Sequence, residues 1–362
     1  MLVYLAIILA LGGGDPLTFA RLSRGFINGV PVDPKGRQGY DGQFAYYIAL
    51  DPSPAAVIPH LDVPAYRYQR VLYPLLARLL ALGQAAFIPW TLVFINLVSL
   101  VVGTALVERW MVTNRVSRWY ALIYGLWIGL VSAVRVDVSE PLCYCLVMVA
   151  MLADTAGRRW WAALALALAM LTKETAVLFV VALMAAAWCA AGSEGPWRFK
   201  ARAAAAVPYA LSLVPFAALQ LLLYAWFGTW GLGSGGYMAT SFEVIPYMGL
   251  WRVGDTNMFA IATVLIFGLL VAAPSAWGIV AALQRIFKKD FTPVVWALAA
   301  TAGFIPWTPN STFREAGGIM RLATGLVLAV LLFGAHRRSK RVLNYSWIWL
   351  AGLAFVFKEA IP

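Results

Sequence analysis

The sequence predicts an all-α polytopic membrane protein, and three observations lead there. Of its 362 residues 62% are hydrophobic and 12% charged, whereas soluble domains carry about 45–50% apolar and about 25% charged residues. Apolar runs recur along most of the chain at lengths suited to a hydrocarbon layer about 30 Å thick. The net charge of +12 gathers mainly in the short connections between alternate runs. These features exclude a soluble enzyme, a disordered chain, a coiled coil and a secreted disulfide scaffold.

Taken in order, the runs give about eleven transmembrane helices. They cover 1–13, 86–107, 119–134, 138–154, 160–172, 175–191, 204–227, 257–283, 292–307, 317–335 and 343–357. The first lacks a basic leader and a clear small-residue cleavage site before Gly12-Gly13-Gly14-Asp15, so it reads as a span rather than a signal peptide. With the N-terminus inside, the inner loops hold 15 basic residues (Arg109, Arg115, Arg118, Arg158, Arg159, Arg198, Lys200, Arg202, Arg285, Lys288, Lys289, Arg337, Arg338, Lys340, Arg341) against four acids, Glu108, Asp154, Glu194 and Asp290. That asymmetry follows the positive-inside rule, so the basic excess is topological and nucleic acid is dropped as a partner. The same rule resolves 160–191 as a hairpin that exposes Lys173-Glu174 at the outer face, because one long helix would split two basic clusters between opposite sides.

Two outer segments are long, 14–85 and 228–256, and long segments in a compact architecture are usually functional or disordered. The second is Gly-rich and aromatic, Gly231-Leu232-Gly233-Ser234-Gly235-Gly236-Tyr237. The first holds two stretches that read as interfacial amphipathic helices: Gly39-Tyr40-Asp41-Gly42-Gln43 running on to Tyr46-Tyr47 and Leu50, and Tyr66-Arg67-Tyr68-Gln69-Arg70 running on to Tyr73-Pro74 and Leu80. Aromatic and Arg residues suit that depth. Asp41 opens the first of these helices, where a carboxylate is favourable. Further outer charges sit at span ends: Arg135, Asp137 and Glu140; Lys173 and Glu174; Arg252 and Asp255; Arg314, Glu315 and Arg321. Arg314 and Arg321 are seven apart, which on one helix puts them on one face. Ionisable groups at membrane depth are functional hypotheses by default, and here they gather on the outer side. Cys143, Cys145 and Cys189 show no metal-ligand spacing and read as core thiols.

In their order these motifs, with Thr172-Lys173-Glu174-Thr175 and Asp51-Pro52, resemble the GT-C superfamily of membrane glycosyltransferases, in particular uncharacterised bacterial members. The resemblance covers roughly residues 1–200 by motif and the remainder by architecture. It implies a catalytic transmembrane module, 1–203, that includes the outer loop 14–85, completed by C-terminal helices, 204–362, in one integral domain. It also implies the bacterial cytoplasmic membrane, a polyprenyl-phosphate-linked sugar donor, and a glycan, lipid or protein acceptor. The loop acid, Asp41, would be the general base. Tyr40, Gln43, Tyr46, Tyr47, Arg67, Arg70, Arg135, Glu140, Lys173, Glu174, Arg314 and Arg321 would bind substrate. Many members carry a second acid directly after the first, where this chain has Gly42. No cofactor is implied, and a divalent metal is not indicated.

Bottom-up chemistry fits that expectation. Breaking the bond between the anomeric carbon and the phosphate oxygen builds negative charge on the leaving group, which Arg or Lys stabilises best in a dry site. A positioned carboxylate takes the proton of the attacking hydroxyl, an effect of about 10²–10⁴-fold. Structural readings stand beside each assignment. Asp41 also reads as a helix cap, with Asp33 and Asp51 as competing carboxylates. Arg67 and Arg70 also read as snorkelling residues, Lys173-Glu174 as a solvated tip or ion pair, and Arg135, Asp137 and Glu140 as a network closing span ends. His60 and His336 are too few for a His-based metal site. A transporter or lipid flippase is the competing function. It would show ionisable residues along mid-span paths and an internal repeat, and neither is visible.

Overall fold

The computed structural model describes residues 1–22, 26–27, 30–31, 39–191, 198–236, 239–253 and 258–356. Asp33, Glu194, Tyr237 and Asp255 lie outside the described residues. Among the described residues the architecture is all-helical apart from one two-residue ladder that pairs Phe26 with Pro31 and Ile27 with Val30. Among the described residues three helices are long and apolar enough to cross a membrane: Ala85–Thr113, Ile261–Phe287 and Ala316–His336. A fourth crossing exists if Phe199–Leu211 and Val214–Phe227, bent by 45°, form one span. Shorter apolar helices (Leu2–Leu11, Arg159–Thr172, Glu174–Ala190, Pro293–Trp307) fill in around them. The chain is therefore built as a helical membrane protein.

Burial separates centre from rim. Within Ala316–His336 the most apolar stretch is 78% buried, against 28% for Ile261–Phe287. Every residue from Thr324 to Ala335 is buried, while Ile261, Leu265, Leu269 and Val280 stay exposed, as expected of a helix facing lipid. The central helix is pinned by buried indoles: Trp110 Nε1 donates to the Leu332 carbonyl at 3.2 Å, and Trp127 Nε1 to the Met320 carbonyl at 3.1 Å. Trp127 also explains why the expected span 119–134 is not one rod. The chain breaks between Ala121–Gly125 and Ile128–Arg135, and the indole of the break residue reaches the central helix instead. Directly beyond, a Cβ on Gly129 would lie 2.2 Å from the Met320 carbonyl oxygen. Since backbone cannot yield there, Gly129→Ala should cost roughly 1–3 kcal/mol. It should be read as a lowered thermal midpoint in detergent, and an unchanged midpoint would remove this contact from the account.

Both expected loop helices form. The first is Gly42–Leu50; the second divides into Pro64–Tyr68 and Leu72–Leu80. In the last, Tyr73, Pro74 and Ala77 face inward while Leu75, Leu79 and Leu80 are exposed, the two-sided pattern of a helix lying at an apolar interface. Arg78 ties the two loop helices by donating to the Ala49 carbonyl at 3.0 Å, satisfying an otherwise unpaired helix C-terminus. The segment 160–191 breaks at Lys173 (φ −157, ψ 129), as the charge pattern suggested.

Candidate functional site

The polar residues converge at one end of the bundle. Glu140 is the first residue of Glu140–Thr155, Lys173 follows Arg159–Thr172, and Arg321 stands near the start of Ala316–His336. The basic residues Arg158 and Arg337 follow the opposite ends of Glu140–Thr155 and Thr324–His336. Two chemically different faces thus close the same helices.

At the centre is Asp41. It precedes the helix Gly42–Leu50 but makes no side-chain cap to it. Its carboxylate instead accepts from Arg67 Nη1 at 3.0 Å and from Arg321 Nη2 at 3.1 Å. The side chain is 28% exposed, against 11% for Arg67 and 9% for Arg321. Burial alone would raise the Asp41 carboxyl, but the Arg67 and Arg321 guanidiniums outweigh it and hold the group well below the usual carboxylate range. Asp41 is therefore ionised, held by two guanidiniums and still reachable.

Each cation has a second anchor. Arg67 makes a fork with Asp62, Nε–Oδ1 2.7 Å and Nη2–Oδ2 2.8 Å. Arg321 Nη1 lies 3.5 Å from Glu140 Oε1, and its guanidinium sits 5.1 Å from the Tyr40 ring, a cation–π contact. Burial pushes the Tyr40 phenol up to about 12, so it stays a neutral donor. Arg70 forks onto Glu174 at 2.9 and 2.6 Å and donates to the Tyr66 hydroxyl at 2.8 Å. Lys173 Nζ donates to Glu140 Oε1 at 2.8 Å. Such planar bidentate pairs fix a guanidinium in place. A small cavity of about 30 Å³ opens among Asp41, Phe44, Ala45, Ile48, Arg67, Arg70 and Tyr73 on one side and Asp137, Val138 and Ser139 on the other. From the first loop helix, Asp41, Phe44, Ala45 and Ile48 reach it, an i, i+3, i+4, i+7 face.

The structure thus brings together Tyr40, Asp41, Arg67, Arg70, Glu140, Lys173, Glu174 and Arg321. Others are placed elsewhere. Tyr46 and Tyr47 lie on a different face of the loop helix, where Tyr47 stacks on His60 with centroids 4.1 Å apart. Gln43 is buried beneath Gly39. Arg135 donates to the Thr18 carbonyl at 3.1 Å and secures the N-terminal segment. Arg314 is exposed, because Glu315 takes extended backbone (φ −114, ψ 127) and separates Asn310–Arg314 from Ala316–Leu322. The two arginines therefore share no helical face. Lys173 and Glu174 do not project as a solvated tip; Glu140 and Arg70 draw them inward. Two acids were not singled out by sequence as site residues. They are Asp62, which holds Arg67, and Asp137, which the sequence offered only within the group of outer charges at span ends, with a structural network as the alternative.

No protein-family model, no curated protein and no solved structure matches this chain.

Proposed function

We propose that the chain is a membrane glycosyltransferase of GT-C type, moving a sugar from a polyprenyl-phosphate carrier to an acceptor hydroxyl. On this reading it crosses a bacterial cytoplasmic membrane about eleven times, with the N-terminus inside and the Asp41 cluster at the outer face. The observation that supports the reading is Asp41 itself, an ionised and reachable carboxylate held between Arg67 and Arg321 on the wall of a cavity at the end of the helices. Attack by a hydroxyl needs a carboxylate to draw its proton, and a departing phosphate needs cations beside the same point. Arg67, Arg70, Arg321 and Lys173 are the cations, each kept in position by a carboxylate behind it. Among the described residues, the gathering of Asp41, Arg67, Arg70, Glu140, Lys173, Glu174 and Arg321 at one end of the helices favours chemistry at one face over transport.

The test is transfer of label from polyprenyl-phosphate glucose, mannose, galactose and arabinose to crude envelope acceptor by the purified protein in lipid vesicles. Label should leave one of these carriers. Single cysteines placed at 41 and 338 should be labelled from outside and only after permeabilisation, respectively. A folded protein that turns over no donor would point to a transporter, and reversed labelling would remove the orientation and the outer site with it.

A further inference from the structure

Asp137 has no role in the ion-pair network. Its side chain is fully buried at 0% exposure, yet neither carboxylate oxygen has a hydrogen-bond partner. A buried, unpartnered carboxyl is costly, and this one also adopts left-handed backbone, φ 50, which a non-glycine residue tolerates only at a further cost. No hydrogen bond compensates: the residue lies in the turn between Ile128–Arg135 and Glu140–Thr155 and lines the same cavity as Asp41, Arg67 and Arg70. The close approach is built in. A Cβ on Gly42, the residue after Asp41, would lie 2.1 Å from the Val136 carbonyl oxygen and 3.1 Å from Asp137 Cβ. The glycine after Asp41 therefore lets a second acid come close from elsewhere in the chain.

We infer that Asp137 is the terminal proton acceptor of the transfer reaction, with Asp41 orienting the acceptor hydroxyl. The inference rests on the transferase reading and divides the labour within it. The acceptor oxygen forms its bond to the anomeric carbon as the bond from that carbon to the phosphate oxygen breaks. The phosphate leaves with the electron pair, and the hydroxyl proton ends on a carboxylate oxygen of Asp137. Two carboxyls whose surroundings separate their proton affinities mark out such roles. Asp41, between two guanidiniums, disfavours holding a proton. Burial raises the Asp137 carboxyl well above the ordinary range, against the opposing charge of Arg135. The other charged or titratable groups lining the cavity are Asp41 at the start of the first loop helix, Arg67 from Pro64–Tyr68, Arg70 from the link that follows it, and Tyr73 from Leu72–Leu80. The Tyr73 hydroxyl is already engaged with the Leu92 carbonyl at 3.0 Å.

The experiment compares the full-length protein in lipid with Asp137→Asn and Asp137→Glu, measuring kcat and donor KM for the carrier that wild type turns over, across pH. The wild-type rate should rise with pH through an apparent pKa above the ordinary carboxylate value of about 3.9. Asp137→Asn should lose about 100-fold or more in kcat with donor KM little changed, and its residual rate should lack that rise. Asp137→Glu should keep the rise. An Asn variant with wild-type kcat and the rise intact would overturn the inference and leave the transferase reading standing; no turnover by folded wild type would overturn both. Should the Asn variant not fold, the wild-type profile decides, because a rate independent of pH between about 5 and about 8 excludes an acceptor of raised proton affinity.

Discussion

Asp41→Asn is expected to reduce transfer by about 10³-fold or more while leaving the protein folded. The two halves of that expectation have different causes. Removing the charge takes away the carboxylate that aligns the acceptor hydroxyl for its proton transfer, so the contribution of that transfer, about 10²–10⁴-fold, is lost with the alignment. Stability should change little, because neither arginine loses its only partner. Arg67 keeps its fork to Asp62 at 2.7 and 2.8 Å, and Arg321 keeps Glu140 at 3.5 Å. The asparagine retains the shape and one acceptor oxygen. Circular dichroism and thermal melting alongside the transfer assay separate the two. A variant that melts early but transfers normally per folded molecule would make Asp41 a structural residue, with the catalytic reading lost.

How much of this site was legible follows from what each residue needed to be seen. Asp41, Arg67 and Arg70 lie in short segments whose aromatic and basic pattern sets them apart from the spans, so local composition was enough. Glu140, Lys173 and Arg321 stood out because charges interrupt apolar runs there. Their partners did not follow from sequence, since Lys173 meets Glu140 across 33 positions and Arg321 meets Asp41 across 280. Spacing misled at Arg314 and Arg321, where a seven-residue separation implied one helix face and Glu315 breaks that helix. It misled again at Tyr46 and Tyr47, whose proximity to Asp41 along the chain puts them on other sides of the same helix. Asp137 was hidden for a different reason. Its significance lies in lacking a partner, and only packing reveals that. The helical membrane class was legible from composition; the interruptions at Trp127 and Glu315 were not, because they depend on contacts to the central helix and on backbone turns rather than on a loss of hydrophobicity.

Lys173→Met is expected to destabilise the protein by about 3–5 kcal/mol, and adding Glu140→Gln to recover most of that loss. The pair is the most deeply buried ion pair described: 8% of the Lys173 side chain and 1% of the Glu140 side chain are exposed, with 2.8 Å between Nζ and Oε1. Methionine fills the lysine's stem volume but leaves Glu140 with Arg321 at 3.5 Å as its remaining charged neighbour, and Glu140 Oε2 already has no hydrogen-bond partner. A buried carboxylate stripped of its nearest cation is the dominant cost, and converting it to an amide removes the charge rather than restoring the contact. The double variant should therefore melt close to wild type, giving a coupling energy far above the few tenths expected of independent sites. The same double variant isolates function. In the double variant Arg321 keeps Asp41 at 3.1 Å but loses the Glu140 charge, so the loss of transfer beyond that of Glu140→Gln alone belongs to the missing ammonium at the donor phosphate. Wild-type turnover in the double variant would instead make Lys173 a fold residue and leave phosphate binding to the three arginines. Single and double variants that melt alike would show that Glu140 does not depend on Lys173, and the cycle would then count against the buried pair as an organising contact of the site.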